Sequence, residues 1–212
     1  MKFNFLIWHA ATKLLKNGLK KIWRADDVEN LIRRAKPVYK NLLLKIDGIS
    51  EKNPMAHNIY LSFVFISIWL ASERKISCEK MSEAIGEMLS WKPLKWFYGR
   101  IDLNTEKGVK IFGRMMKKCA DYAENHPEEK NTWDFHFDEK IHANGFYYYF
   151  THCPINDFCK KFGYEEFTPV LCKIDFTTMG MMHSVLHREQ TLADGGKICD
   201  YWTVGDGIEN PE

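Results

Sequence analysis

Four of the six cysteines, Cys153, Cys159, Cys172 and Cys199, lie between residues 153 and 199. A thiolate can attack an electrophilic carbon or bind a soft metal, whereas a protonated thiol packs as a small apolar group. Cys153 stands at the end of an aromatic stretch and just before Pro154, where a helix is expected to begin. The positive end of a helix dipole there would lower its pKa and favour the thiolate. His152 is adjacent, but neighbours on a strand point to opposite faces, which makes it a poor direct partner. The same alternation separates Cys199 from Asp200. Cys172 has Asp175 three residues on, an acidic group that could serve as acid or base.

If Cys153, Cys172 and Cys199 converge beside Asp175, two chemistries are open. The thiols could surround a substrate with one of them as nucleophile, or they could bind zinc or iron. No CxxC pair exists to favour the metal. Arg188, followed by Glu189, Gln190 and Thr191, could hold a carboxylate by a two-point contact, although a cross-strand ion pair is its ordinary use. His57, in the segment entering the most apolar helix, could reach a cleft; the ordinary alternative is a satisfied core histidine.

These side chains need elements to position them. Residues 1–125 read as helical. Leu6, Ala10, Leu14 and Leu15 recur at helical spacing, and a second helix from Asp26 to about Leu44 should kink or split at Pro37. Asn53-Pro54 opens the apolar segment Ile59 to Ala71, and shorter helices follow near Cys78–Leu89 and Thr105–Glu124. Beyond residue 126 the pattern changes. Trp133, Phe135 and Phe137 alternate with polar residues, and Phe146 to His152 forms a second strand, joined to the first through residues 139–144. Pro154 opens a short helix that Gly163 ends; residues 167 to 182 carry no single periodicity, and a helix after Thr168-Pro169 is one of the readings open to them. Leu186–Ala193 and Lys197–Val204 read as strands joined at Asp194-Gly195-Gly196. The expected class is α+β: a helical N-terminal part, 1–125, packed on a small antiparallel sheet with a crossover helix, 126–212, in one integrated domain.

The bulk numbers exclude several functions. Thirty basic and 28 acidic residues give a formal charge of +2, no nucleic-acid signature. The local basic clusters, Lys13–Lys21 and Arg114, Lys117, Lys118, read as solvated helix faces. About 20 apolar residues are needed to cross a bilayer, which the Ile59–Ala71 run does not supply. With no cleavable leader evident, a soluble cytoplasmic protein is expected. Exposed aromatics among Trp91, Trp96, Phe97 and Tyr98 would suit a homo-oligomer contact. Nothing in the sequence names a cofactor or requires a metal.

The order Thr151-His152-Cys153-Pro154, Cys159, Gly163, Leu171-Cys172, Asp175 is similar to the core pattern of the L-2-amino-thiazoline-4-carboxylic acid hydrolase family. So is the continuation Leu186-His187-Arg188, Thr191-Leu192-Ala193, Gly195-Gly196 and Cys199-Asp200. The resemblance implies hydrolytic opening of a C–N bond in a small cyclic amidine or thiazoline carboxylic acid, with a cysteine-derived product. It implies catalytic roles for Cys153, Cys172, Asp175, Cys199 and Asp200, and substrate contacts for Arg188 and Thr191, to which His57 is added from its position. The alternative is a small-molecule or metal-binding sensor module without turnover.

Overall fold

The computed structural model describes residues 1–138 and 140–208. Among them are eight α-helices and one four-stranded antiparallel sheet, an α+β architecture. The chain divides into two compact units, Met1–Trp91 and Lys92–Glu212. No helix among the described residues is long and apolar enough to cross a membrane.

The first unit holds α1 (Phe5–Ile22), α2 (Val28–Lys45), α3 (Ala56–Ala71) and α4 (Cys78–Leu89). α1 starts where the Asn4 side chain accepts the Ile7 amide, and α4 starts where Ser77 accepts the Lys80 amide. α2 differs from expectation, because it runs through Pro37 without a break. A proline inside a helix costs about 3 kcal/mol. The burial of Leu31, Ala35, Tyr39, Leu42 and Leu43 along one face of this helix offsets that cost. α3 is buried on nearly every side, as its uninterrupted apolar run requires.

The second unit carries α5 (Lys92–Tyr98), α6 (Glu106–Asn125), β1 (Phe135–Phe137), β2 (Phe146–Phe150), α7 (Pro154–Phe162), α8 (Thr168–Met181), β3 (Ser184–His187) and β4 (Cys199–Gly205). The expected change from helices to strands falls after α6, while the compact unit opens earlier, at Lys92. Glu139, the first residue of the expected β1–β2 connection, lies outside the described residues. The sheet order is β1-β2-β4-β3, with every neighbouring pair antiparallel. α7 and α8 cross over between β2 and β3.

Strand alternation sorts the aromatic residues by face. Phe146, Tyr148 and Phe150 share one face with Cys199, Tyr201 and Thr203, their partners across the ladder. Tyr148 stacks on Tyr201 with ring centres 4.8 Å apart, and Phe112 of α6 meets Phe146 edge-on at 5.7 Å. Each such pair adds on the order of 1 kcal/mol beyond the area it buries. Gly113 makes the α6 contact possible, since a Cβ there would stand 2.8 Å from the Phe146 ring.

Gly145, just before β2, has φ +83°, and a Cβ would lie 2.3 Å from the Thr203 carbonyl oxygen. Gly145→Ala is therefore expected to destabilise the protein by more than about 1 kcal/mol, read as a lower urea midpoint at unchanged slope. An unchanged midpoint would mean that β2 and β4 are not in the register described.

The expected final hairpin is present but built differently. β3 ends at His187 and β4 begins at Cys199, so Arg188 and Thr191 lie on the connection rather than on a strand. The reason is local. Both carboxylate oxygens of Asp200 accept backbone amides, from Glu189 and Gln190 at 2.8 Å each, which pulls the chain out of the ladder. The Thr191 hydroxyl then donates to Asp194 at 2.7 Å, closing the turn before Gly195-Gly196.

Candidate functional site

The site is assembled from α8, β4 and the chain leaving β3. Cys172 and Asp175 sit three residues apart on α8 and so share a face. Arg188 reaches back onto that face. Its Nε donates to the Asp200 carbonyl at 3.1 Å, Nη1 to the Cys172 carbonyl at 3.2 Å, and Nη2 to Asp175 Oδ2 at 3.0 Å. The guanidinium also lies over the Tyr201 ring, 4.0 Å from its centre, with Phe176 at 5.3 Å. Only 4% of the Arg188 side chain is exposed. A planar fork with several acceptors in reach is what Lys could not supply.

Asp175 receives two donors on one oxygen. Besides Arg188, the Tyr201 hydroxyl donates to Oδ2 at 2.9 Å. Oδ1 is left as the oxygen able to meet a ligand, and the side chain remains about a third exposed, at 32%. Burial raises the carboxyl pKa, while the Arg188 charge and the hydrogen bonds from Tyr201 and Arg188 pull it down; the upward shift wins. Burial likewise keeps the Tyr201 phenol protonated. Tyr201 is the residue that sequence reasoning missed. Its signal was present: two positions after Cys199, it had to share that cysteine's face.

The three expected cysteines do gather around this pair. Cys153, Cys172 and Cys199 lie near enough that the charge of each would act on the others, and Asp175 acts on all three. The expected thiolate at Cys153 is overturned, however. Cys153 caps α7 without a side-chain hydrogen bond. Burial pushes its thiol up to about 12, against the pull of the Asn156 amide at the helix start. Burial also raises Cys172 and Cys199, the latter despite a 3.2 Å hydrogen bond from the Leu192 amide to Sγ. Desolvation of a full charge exceeds what one helix end returns. At pH 7 all three are therefore thiols. Alkylation by iodoacetamide in the native state is expected to be slow at each of them at neutral pH, and slower than at a free, exposed thiol. Rapid labelling of one of them at neutral pH would contradict this arrangement.

The remaining candidates lie elsewhere. Asp200 is on the opposite sheet face from Cys199 and Tyr201, with both oxygens occupied by amides. Thr191 is buried within its own turn. His57 belongs to the first unit, exposed in the first turn of α3 with Nδ1 2.9 Å from the Pro54 carbonyl. Among the described residues no group of three or more His, Cys, Asp or Glu has metal-binding geometry.

The α+β chain thus carries an arginine–carboxylate–tyrosine cluster with three thiols close by. The sequence profile of the L-2-amino-thiazoline-4-carboxylic acid hydrolase family matches residues 56–203, and the chain belongs to that family. That profile spans all of the thiol cluster and points to a hydrolase-like function. No curated protein and no solved structure matches the chain at a significant level.

Proposed function

We propose that this protein hydrolyses a C–N bond in a small cyclic amidine or thiazoline carboxylic acid, with Asp175 as the acid–base group. The observation that carries the proposal is the way Asp175 is held. Arg188 and Tyr201 both bond Oδ2, which fixes the carboxyl group and leaves Oδ1 without a hydrogen bond from either of them. In such a ring the carbon between sulfur and nitrogen becomes electrophilic once the nitrogen is protonated. Asp175, whose carboxyl pKa is raised by burial, gives that proton. Water adds to the carbon and returns a proton to Asp175, Asp175 passes that second proton to the ring nitrogen as the C–N bond breaks to an amine, and the proton lost as the carbonyl forms restores the acid.

Water is the nucleophile in this scheme because the thiols are held protonated. Cys153, Cys172 and Cys199 instead form a soft, weakly polar wall suited to the ring sulfur. In this reading the substrate carboxylate is taken by the N–H groups of Arg188 not used by Asp175, Cys172 and Asp200. Asp200 and Thr191 serve by shaping the loop that delivers Arg188.

The experiment is incubation of the purified protein with a panel of thiazoline and cyclic amidine carboxylic acids, following ring opening by the gain of one water in the mass spectrum. Turnover of at least one member, lost in Asp175→Asn, is the expected result. Saturable binding of a ring compound without any ring opening would favour a sensor module instead. Failure of every compound to bind would remove both readings.

A further inference from the structure

The second unit contains a cleft that the hydrolytic reading does not use. It encloses about 370 Å³ and is lined by Lys110, Arg114 and Lys117 from α6, and by Asp138, His142 and Tyr147 near the start of β2. That volume falls within the range of small-molecule sites. It lies at the far end of the β2–β4 pair from the thiols. Phe146 and Tyr147 border it, whereas Phe150 pairs with Cys199. Four residues of strand separate the two ends, about 13 Å. We propose that this cleft is a second binding site, for a planar aromatic ring bearing a phosphate, of the size of a nucleoside monophosphate.

Two features of the lining point to those two halves of the ligand. The first is the cation row. Lys110, Arg114 and Lys117 recur at helical spacing on one face of α6 and cover about 10 Å of its length. Lys110 pairs with Glu106 at 2.9 Å, and Asp138 contributes one acidic group to the lining. Arg114 is exposed, with no acidic partner among the described residues, so its guanidinium is ready to take two phosphate oxygens. Lys118, on the same helix, does not line the cleft.

The second feature is a set of rings already stacked. His142 lies flat on Trp202, ring centres 3.8 Å apart and planes within 5°, and meets Tyr147 edge-on at 5.2 Å. Tyr147 continues to Tyr149 at 6.1 Å. Both lining rings are half-buried, so they are held by their neighbours and lose little freedom when a further ring joins them. Stacking of a base on such a ring is worth about 1–3 kcal/mol, which is roughly five- to 150-fold in affinity.

The test is calorimetric titration of the whole chain with adenosine 5′-monophosphate, adenosine, ribose 5-phosphate and inorganic phosphate. The monophosphate should bind one to one, with adenosine and ribose 5-phosphate each weaker by about ten-fold or more. Arg114→Glu should abolish binding and Tyr147→Ala weaken it about ten-fold, with far-UV circular dichroism confirming that each variant is folded. Lys118→Glu, the same charge change outside the cleft, should leave the affinity within about two-fold. No binding of the monophosphate overturns the proposal, as does equal affinity for all phosphates, which would indicate an adventitious ion only. An equal loss in Lys118→Glu would reduce it to diffuse charge. A single-stranded oligonucleotide that binds a hundred times tighter would replace the small ligand by a polymer and overturn the assignment.

Discussion

Asp175→Asn is expected to lower turnover of a ring substrate by about 10²–10⁴-fold while leaving the protein folded. The amide keeps an oxygen that can accept from Arg188 and Tyr201, so the geometry of the cluster survives, but it can neither give nor take the proton. The pH dependence separates this from a packing defect. Because its pKa is raised in the folded state, Asp175 binds its proton more tightly there than in the unfolded chain. Its contribution to stability is present below the ordinary carboxylate pKa, about 3.9, and is lost as pH rises through the raised value. Urea denaturation across that window should therefore show a fall in stability for the natural chain that Asp175→Asn lacks. The rate of ring opening should decline over the same rise in pH, as the acid form is titrated. A variant that retained full turnover would remove Asp175 from the chemistry.

The second large effect is expected at Arg188. Arg188→Met keeps much of the side-chain volume but leaves the Asp175 carboxyl and the Cys172 and Asp200 carbonyls without their donor. Leaving buried acceptors without their donor costs about 1–3 kcal/mol each. The melting temperature should fall accordingly, and activity with it. Arg188→Lys is expected to recover little of either, because a single ammonium cannot span three acceptors and also lie flat on the Tyr201 ring. Should Arg188→Lys match the natural chain in both measurements, the planar fork would not matter and Arg188 would be acting through charge alone.

These two residues also show where the sequence could be read and where it could not. The pattern of elements was legible because each has a local cause. The capping side chains of Asn4, Ser77 and Thr105, Pro154 at the start of α7, Gly163 with φ +69° at its end, and the alternation through β1 and β2 act over a few residues. The gathering of Cys153, Cys172 and Cys199 beside Asp175 was an expectation built on the same local periods, through the family pattern that orders them.

What each of those side chains does was decided only when the chain closed on itself. A helix dipole next to Cys153 is a local feature, and read alone it lowers the thiol pKa; burial by distant segments reverses the sign. Asp200 resembles an acid in the sequence, yet two amides from the β3–β4 connection occupy it and turn Arg188 inward. Pro37 should end a helix, and the burial of its flanking face carries the helix through. Local rules follow from backbone geometry, which neighbours in sequence determine. Desolvation and hydrogen-bond allegiance depend on what arrives from far along the chain, and tertiary structure alone supplies that.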